Sequence, residues 1–282
     1  ELDQAKGAIQ KLGLKLEAKK AFPIDGAGHT VSRLYRSGEG KSGLFKALIG
    51  GARCENVVVA ESLLESTDMY CGAIAGEIEW STVSGCASVD NLVKGAYSAG
   101  GVVGRTGSES NIEDCYSRSK VESAAGSVSN GGTAGGILGG AGGRFSMSHC
   151  YSAGTVVSIG GNDYKGALAG SLEGAGSNDL FVDCFYRQGD AANAVGYAPP
   201  EVYRPGTMTA KTEAQLTSLD MPALLNAGRA DGPWTTDFAA KNDGYPVIGR
   251  SYGFTNWQQV GASVTEAQLR LWPVYNSDGT AD

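Results

Sequence analysis

Apolar positions in this chain fall in short clusters that recur, each too short for a helix. Six apolar pairs have members three residues apart: Val31/Leu34, Cys54/Val57, Val83/Cys86, Ile112/Cys115, Met147/Cys150 and Phe181/Cys184. The second member advances by 23, 29, 29, 35 and 34 residues. Ahead of the pairs from the third onward sits a Gly-rich pentapeptide. The copies are Gly72-Ala73-Ile74-Ala75-Gly76, Gly100-Gly101-Val102-Val103-Gly104, Gly135-Gly136-Ile137-Leu138-Gly139 and Gly166-Ala167-Leu168-Ala169-Gly170. Ser42-Gly43-Leu44-Phe45 is an earlier version and Asn193-Ala194-Val195-Gly196 a fading later one. Within each full copy the middle residue is large and aliphatic, and the residue before it is Gly or Ala.

Self-similarity at a period of about 20–50 residues marks a repeat architecture. No unit holds a helical period of about 10–12 residues, which argues against helical solenoids. Short strands broken by Gly, Ser and Asn predict instead an all-β parallel β-helix of about six coils, with hydrogen bonds running from coil to coil at ~4.8 Å. The inward positions are then Leu34, Val57, Cys86, Cys115, Cys150 and Cys184, with Ile74, Val102, Ile137 and Leu168 from the pentapeptides. Length variation at Ala124–Thr133 and Gly160–Lys165 is expected to bulge out as loops at coil corners.

The two ends read differently. Residues 1–21 are expected to form an N-terminal cap: a short helix over Leu2–Lys11 with Ala5, Ala8 and Ile9 on one side, then alternating Leu12, Leu14 and Leu16. Residues 22–200 form the repeat domain. After Pro199-Pro200 the pattern stops, and Leu216, Met221, Leu224 and Leu225 fit a short helical face with Thr212 as N-cap. Residues 201–250, through Tyr245-Pro246-Val247-Ile248, are expected to form a small mixed C-terminal cap over the open end of the solenoid. Residues 251–282, with Trp257 and Trp272, either finish that cap or begin another module.

Composition supports this picture. Glycine makes up 43 of 282 residues, about twice the usual share, which points to tight turns and close backbone approaches. A hydrophobic content of 41% can still support a core. The net charge of −7, without any Lys/Arg cluster, argues against a nucleic-acid partner. No apolar run reaches the ~18 residues that a membrane-spanning helix needs.

The six cysteines allow either a disulfide framework or buried thiols. Cys86, Cys115, Cys150 and Cys184 share one repeat position, and Cys54 is its apolar neighbour. Stacked coils would bring their Cα atoms within bridging distance, but parallel in-register side chains do not offer the ~90° torsion of a disulfide. An inward ladder of free thiols is the favoured reading. Zinc is a poor one, because no C-x-x-C occurs and His29 and His149 are the two histidines. No cofactor site and no metal site is expected.

Other strings fail on context. Gly249-Arg250-Ser251-Tyr252-Gly253 fits G-x-S-x-G, but no helix follows it. Gly38-Glu39-Gly40-Lys41-Ser42 ends like a phosphate loop, yet Tyr35 stands where its first Gly belongs. Gly161-Asn162-Asp163 is a lone turn rather than a calcium-binding array. Asp114 and Asp183 share a repeat position with Asn56 but have His149 between them, so two rungs, ~10 Å, would separate the carboxylates. Corner residues explain them better than an acid–base pair. Tyr116, Tyr151 and Phe185 suggest an aromatic stack, a packing ladder first and a glycan-binding strip second.

At this point the pattern resembles a known family. The pentapeptides followed by Asp114-Cys115-Tyr116, His149-Cys150-Tyr151 and Asp183-Cys184-Phe185 resemble the GLUG-motif repeats of bacterial surface proteins, which occur in adhesin-like proteins and beside immunoglobulin A peptidase domains. Phe22 to Leu34, with Asp25-Gly26-Ala27-Gly28-His29-Thr30-Val31, resembles the coil leading into such repeats, and Gly244-Tyr245-Pro246-Val247-Ile248 their closing segment. The likeness covers roughly residues 22–250 and departs from the pattern at Lys46, where Gly is usual, and at Cys71, whose slot elsewhere holds Lys41, Ala99, Ala134 or Lys165. The resemblance implies a right-handed β-helix with no catalytic residues to carry over. It implies an extracellular, cell-surface segment of a longer chain, monomeric, adhesive toward a host surface protein or glycan. The alternatives are a β-helix carbohydrate-active enzyme, lyase or hydrolase, and a non-catalytic glycan-binding module.

Overall fold

The computed structural model describes residues 23–123, 132–159, 164–175, 180–200 and 206–249. The N-terminal cap expected over 1–21, the extension 251–282, the string at 250–253 and the turn Gly161–Asp163 lie outside the described residues.

The chain is a parallel β-helix. Four sheets run along it, three gathering one short strand per coil and the broadest taking two from some coils. The first holds six strands, Pro23–Asp25, Arg53–Glu55, Thr82–Ser84, Ser110–Glu113, Phe145–Ser148 and Leu180–Val182. The second is the broadest, with ten strands, among them Thr30–Ser32, Val58–Ala60, Ala87–Gly95, Tyr116–Ser123, Tyr151–Ser152 and Cys184–Arg187. The third stacks Tyr70–Gly72, Ser98–Gly100, Thr133–Gly135 and Tyr164–Gly166. The fourth stacks Phe45–Ile49, Ala75–Glu79, Val103–Thr106, Leu138–Ala141, Ala169–Ser171 and Val195–Tyr197. All the pairings within these sheets are parallel, so each strand's partner lies about one coil away in sequence.

Each coil puts like residues on like. Cys54, Val83, Ile112, Met147 and Phe181 form one column in register on the first sheet, all buried. Val57, Cys86, Cys115, Cys150 and Cys184 follow at the next corner and are at most 4% exposed. Ile74, Val102, Ile137 and Leu168 close the core from the opposite side with no exposure. All six cysteines are free and buried. The thiols of Cys86, Cys115, Cys150 and Cys184 point at neighbouring carbonyls, as Cys115 Sγ does to Glu113 O at 3.1 Å and Cys150 Sγ to Ser148 O at 3.2 Å. Burial pushes the Cys71 thiol up to about 12, and it also holds the Cys115 and Cys150 thiols well above their usual value.

The pentapeptide glycines serve close approach rather than left-handed turns. A Cβ on Gly135 would lie 2.0 Å from the Leu138 carbonyl oxygen, and one on Gly139 would lie 2.4 Å from Ser98 Oγ and 2.5 Å from Gly104 O. A left-handed conformation recurs at the corner just before Val57, Cys86, Cys115, Cys150 and Cys184, where Asn56, Gly85, Asp114, His149 and Asp183 have φ between 48° and 62°. Asn, Asp and Gly are the residues that tolerate it best, and His follows.

The first coil corrects the sequence alignment twice. Ile24, not Val31, stands beside Cys54, so this coil is 30 residues long (54 − 24) like its neighbours, and Val31 pairs with Val59 one sheet further on. Leu34 accordingly lies half-buried at the edge of the core, bonded through its N–H to Ser62 Oγ at 3.0 Å, rather than in the column of Val57 and the cysteines. An apolar pair with the right internal spacing, Val31/Leu34, imitated the true one. Likewise Ser42, not Lys41, is bridged to Cys71, because the first coil is one residue shorter at its Gly-Leu-Phe turn.

The C-terminal segment also departs from expectation. Met208–Lys211 adds a last rung to the second sheet, beside Cys184–Arg187. Two short helices follow, α1 (Glu213–Leu216) and α2 (Met221–Asn226). Thr212 caps α1, and Gln215 returns a bond to the Thr212 N–H, completing a capping box. Leu216, Met221 and Leu225 are buried while Leu224 faces solvent, so the expected single helical face is split in two. Beyond the last rung the segment packs along the outside of the second sheet, closing with the antiparallel pair Trp234–Thr235 and Val247–Ile248.

Candidate functional site

The outer face of the second sheet is where the fold departs from plain repetition. Strand alternation sends one column outward in register: Thr30, Val58, Ala87, Tyr116, Tyr151 and Phe185. A second outward column carries Ser32, Ala60, Val89 and Arg118. The column is therefore small at one end and aromatic at the other.

The aromatic end is covered. Tyr116 and Tyr151 stack with centroids 5.0 Å apart and planes 7° from parallel, the ladder expected from sequence. Trp234 lies across both, at 5.9 and 5.4 Å, and Tyr245 continues the stack from Tyr151 at 6.2 Å. Tyr151 donates to Pro246 O at 2.7 Å and accepts from Asn242 Nδ2 at 2.9 Å. Burial first, then the neighbouring Tyr116, pushes the Tyr151 phenol well above its usual range. Arg118 lies over the Tyr245 ring at 4.9 Å and donates to Asn242 Oδ1 at 2.9 Å.

Asp114 anchors this cover. Its two oxygens accept from Arg229 at 2.6 and 3.0 Å and from Trp234 Nε1 at 3.0 Å. The corner that holds Asp114 left-handed thus aims a carboxylate, 8% exposed, at the Arg229 guanidinium and the Trp234 indole of the covering segment. His149, the next residue of that corner column, has its Nδ1 4.0 Å from Asp183 and without a hydrogen-bond partner. Burial, followed by the Arg229 charge, holds its imidazole below the usual value. Asp114, His149 and Asp183 are thus corner residues on successive coils. Arg229, Trp234, Asn242 and Tyr245 complete the assembly and carried no repeat signal of their own. The clue was indirect: three outward aromatics in a row, and a tail with spare aromatics to lay on them.

Clefts open on either side of the cover among the described residues. One, of about 270 Å³, opens where the column becomes small, between Val58, Ala60, Ala87 and Val89 on the sheet and Thr235, Phe238 and Ile248 on the segment. Its rim carries Glu61, Asp90 and Lys241. The Asp237 carboxylate on the same side is occupied, accepting from the N–H groups of Lys241, Asn242 and Gly244. The second, wider and shallower, is lined by Arg118, Lys120, Arg187, Glu213, Asp243 and Tyr245. Arg187 is held there by Asp190 at 2.9 Å. Among the described residues no group of three or more His, Cys, Asp or Glu side chains is placed to hold a metal ion. Among the described residues no helix is long and apolar enough to cross a membrane.

Comparison with known proteins agrees with this architecture. Residues 95–122 match the model of the GLUG motif, a stretch that runs from the strand Ser98–Gly100 through the corner at Asp114 into the Tyr116 strand. No curated protein matches the chain. Among solved structures, a candidate immunoglobulin A1 protease from Bacteroides ovatus is similar with a TM-score of 0.58 and 21% identity, over 81% of this chain and 78% of that one. A likeness at that identity speaks to the fold. The chain is a parallel β-helix that carries a GLUG motif in one of its coils.

Proposed function

We propose that the chain is a non-catalytic structural and adhesive segment of a bacterial cell-surface protein, a rigid rod whose lateral face meets host or matrix ligands. The observation that carries this reading is the use made of the corner carboxylate. Asp114 spends both oxygens on Arg229 and Trp234, binding the protein to itself rather than standing ready as an acid or base. The GLUG motif supports a surface-protein context, and a coil-on-coil hydrogen-bond ladder supplies stiffness. The reading places the segment outside the cell as a monomeric part of a longer chain. Immobilised chain exposed to matrix proteins, host-cell membranes and glycans tests it. Saturable capture of at least one of these is expected. Turnover of a polysaccharide, with reducing or unsaturated ends released, would replace it with the enzymatic reading.

A further inference from the structure

We infer that the cleft between the second sheet and the folded-back segment is a binding site for a peptide segment of a partner protein, taking one large apolar side chain with a basic residue beside it. The inference rests on the contact reading above and gives it a place and a chemistry.

The protein itself shows what this strip accepts. Two rungs along, the same outward columns receive Trp234 over Tyr116 and Tyr151, with Arg229 on the corner carboxylate of Asp114. At the cleft the columns continue as Val58, Ala60, Ala87 and Val89, an apolar floor with Tyr116 and Ile248 behind it and Phe238, 57% exposed, at the mouth. At about 270 Å³ the space lies below the usual size for a drug-like ligand and suits one side chain.

Two polar features say what should accompany that side chain. Thr235 lines the cleft and is only 5% exposed, yet its Oγ1 has no hydrogen-bond partner. A buried hydroxyl left unpaired costs free energy that a ligand's backbone amide would recover. The corner at the far end of the strand then carries carboxylates on adjacent coils, Glu61 and Asp90, both left-handed and exposed. Glu61 holds Arg33 in a solvent-exposed pair at 3.2 Å, while Asp90 makes no ion pair among the described residues. Lys241 supplies a positive charge on the segment side of the rim and Arg33 offsets Glu61, so a ligand's basic residue is directed to Asp90 at the sheet-side corner, on a chain of net charge −7. A sugar is disfavoured, because the aliphatic floor would leave its hydroxyls without partners.

The test is a titration of the isotope-labelled full chain with N-acetyl-Trp-Lys-amide, followed by amide NMR shifts. Saturable shifts are expected at residues 58–60, 87–90 and 235–239. N-acetyl-Trp-Glu-amide should bind about two- to fivefold more weakly, as one exposed rim charge allows, and Asp90→Asn should erase that difference. Thr235→Val should weaken the lysyl peptide while leaving Tm unchanged or higher, a pairing of effects that simple damage to the fold would not give. Ala60→Trp, at a half-exposed outward position, should fill the cleft and abolish the shifts. The inference is overturned by absent shifts, by binding that survives Ala60→Trp, or by chitotriose shifting these residues where the peptide does not. Capture by an immobilised matrix protein that is undiminished in Ala60→Trp would overturn the cleft alone and leave the adhesive reading standing.

Discussion

Within the coils, each inward residue rests on its own kind one rung away: Ile74, Val102, Ile137 and Leu168 in one column, and Cys86, Cys115, Cys150 and Cys184 in another. In residues 206–249 nothing repeats after the first rung. Trp234, Tyr245 and Arg229 each meet a particular partner 94 to 120 positions away, Tyr151 (245 − 151), Asp114 (229 − 114) and Asp114 again (234 − 114). Coil stability is therefore spread over many similar contacts, as in other stacked repeats. The folded-back segment depends on a few contacts, each individually costly to lose.

The largest expected effect tests the coil side of that contrast. Gly139→Val would drive a side chain into Ser98 Oγ and the Gly104 carbonyl, so a loss of about 3 kcal/mol or more should appear as a lower denaturant midpoint for the whole domain. Trp234→Ala should cost about 3 kcal/mol, mostly by uncovering Tyr116 and Tyr151, and is read by their fluorescence and by thermal unfolding. If both substitutions shift one common transition by the same mechanism, the two regions are not distinct. Next comes the thiol ladder. Native protein should leave all six cysteines unreacted toward an aromatic disulfide reagent, and unfolded protein should react at all six; rapid labelling of the native chain would mean the coils breathe.

The smallest effect is pH-dependent. His149 is held below its unfolded value near 6.5, chiefly by burial, so the unfolded chain binds the proton more readily. Stability should therefore be intact above about pH 6.5 and fall as pH drops from there toward the lower folded value. His149→Asn, which keeps a residue that Asn56 shows to be tolerated in the left-handed corner, should flatten that slope in thermal melts between pH 7 and 5. An unchanged slope would assign the titration to another group.

The coils were legible because stacking writes the same demand into every rung. A large aliphatic at 74, 102, 137 and 168 between glycines, and an apolar pair a fixed distance later, needed no structure to be seen. The first coil misled because Val31/Leu34 has the spacing of a repeat pair without its register. The short step of 23 residues among steps of 29 to 35 was the sign. Ile24, the true partner of Cys54, restores a 30-residue coil (54 − 24). The folded-back segment was not legible in this way. Local rules found its N-cap at Thr212, but the side of the solenoid it packs on depends on Asp114 meeting Arg229, and a single charge pair has no period.

Hydrogen exchange of the full chain carrying Asp114→Asn tests the central contrast most directly. This change keeps the left-handed corner and removes the charge that faces Arg229 and Trp234. Amides of 213–226 and 234–248 should lose protection by about tenfold or more while those of 75–79, 103–106 and 138–141 keep theirs. Equal loss in both sets, or no loss in either, would contradict a self-stacked β-helix with a segment latched to its side.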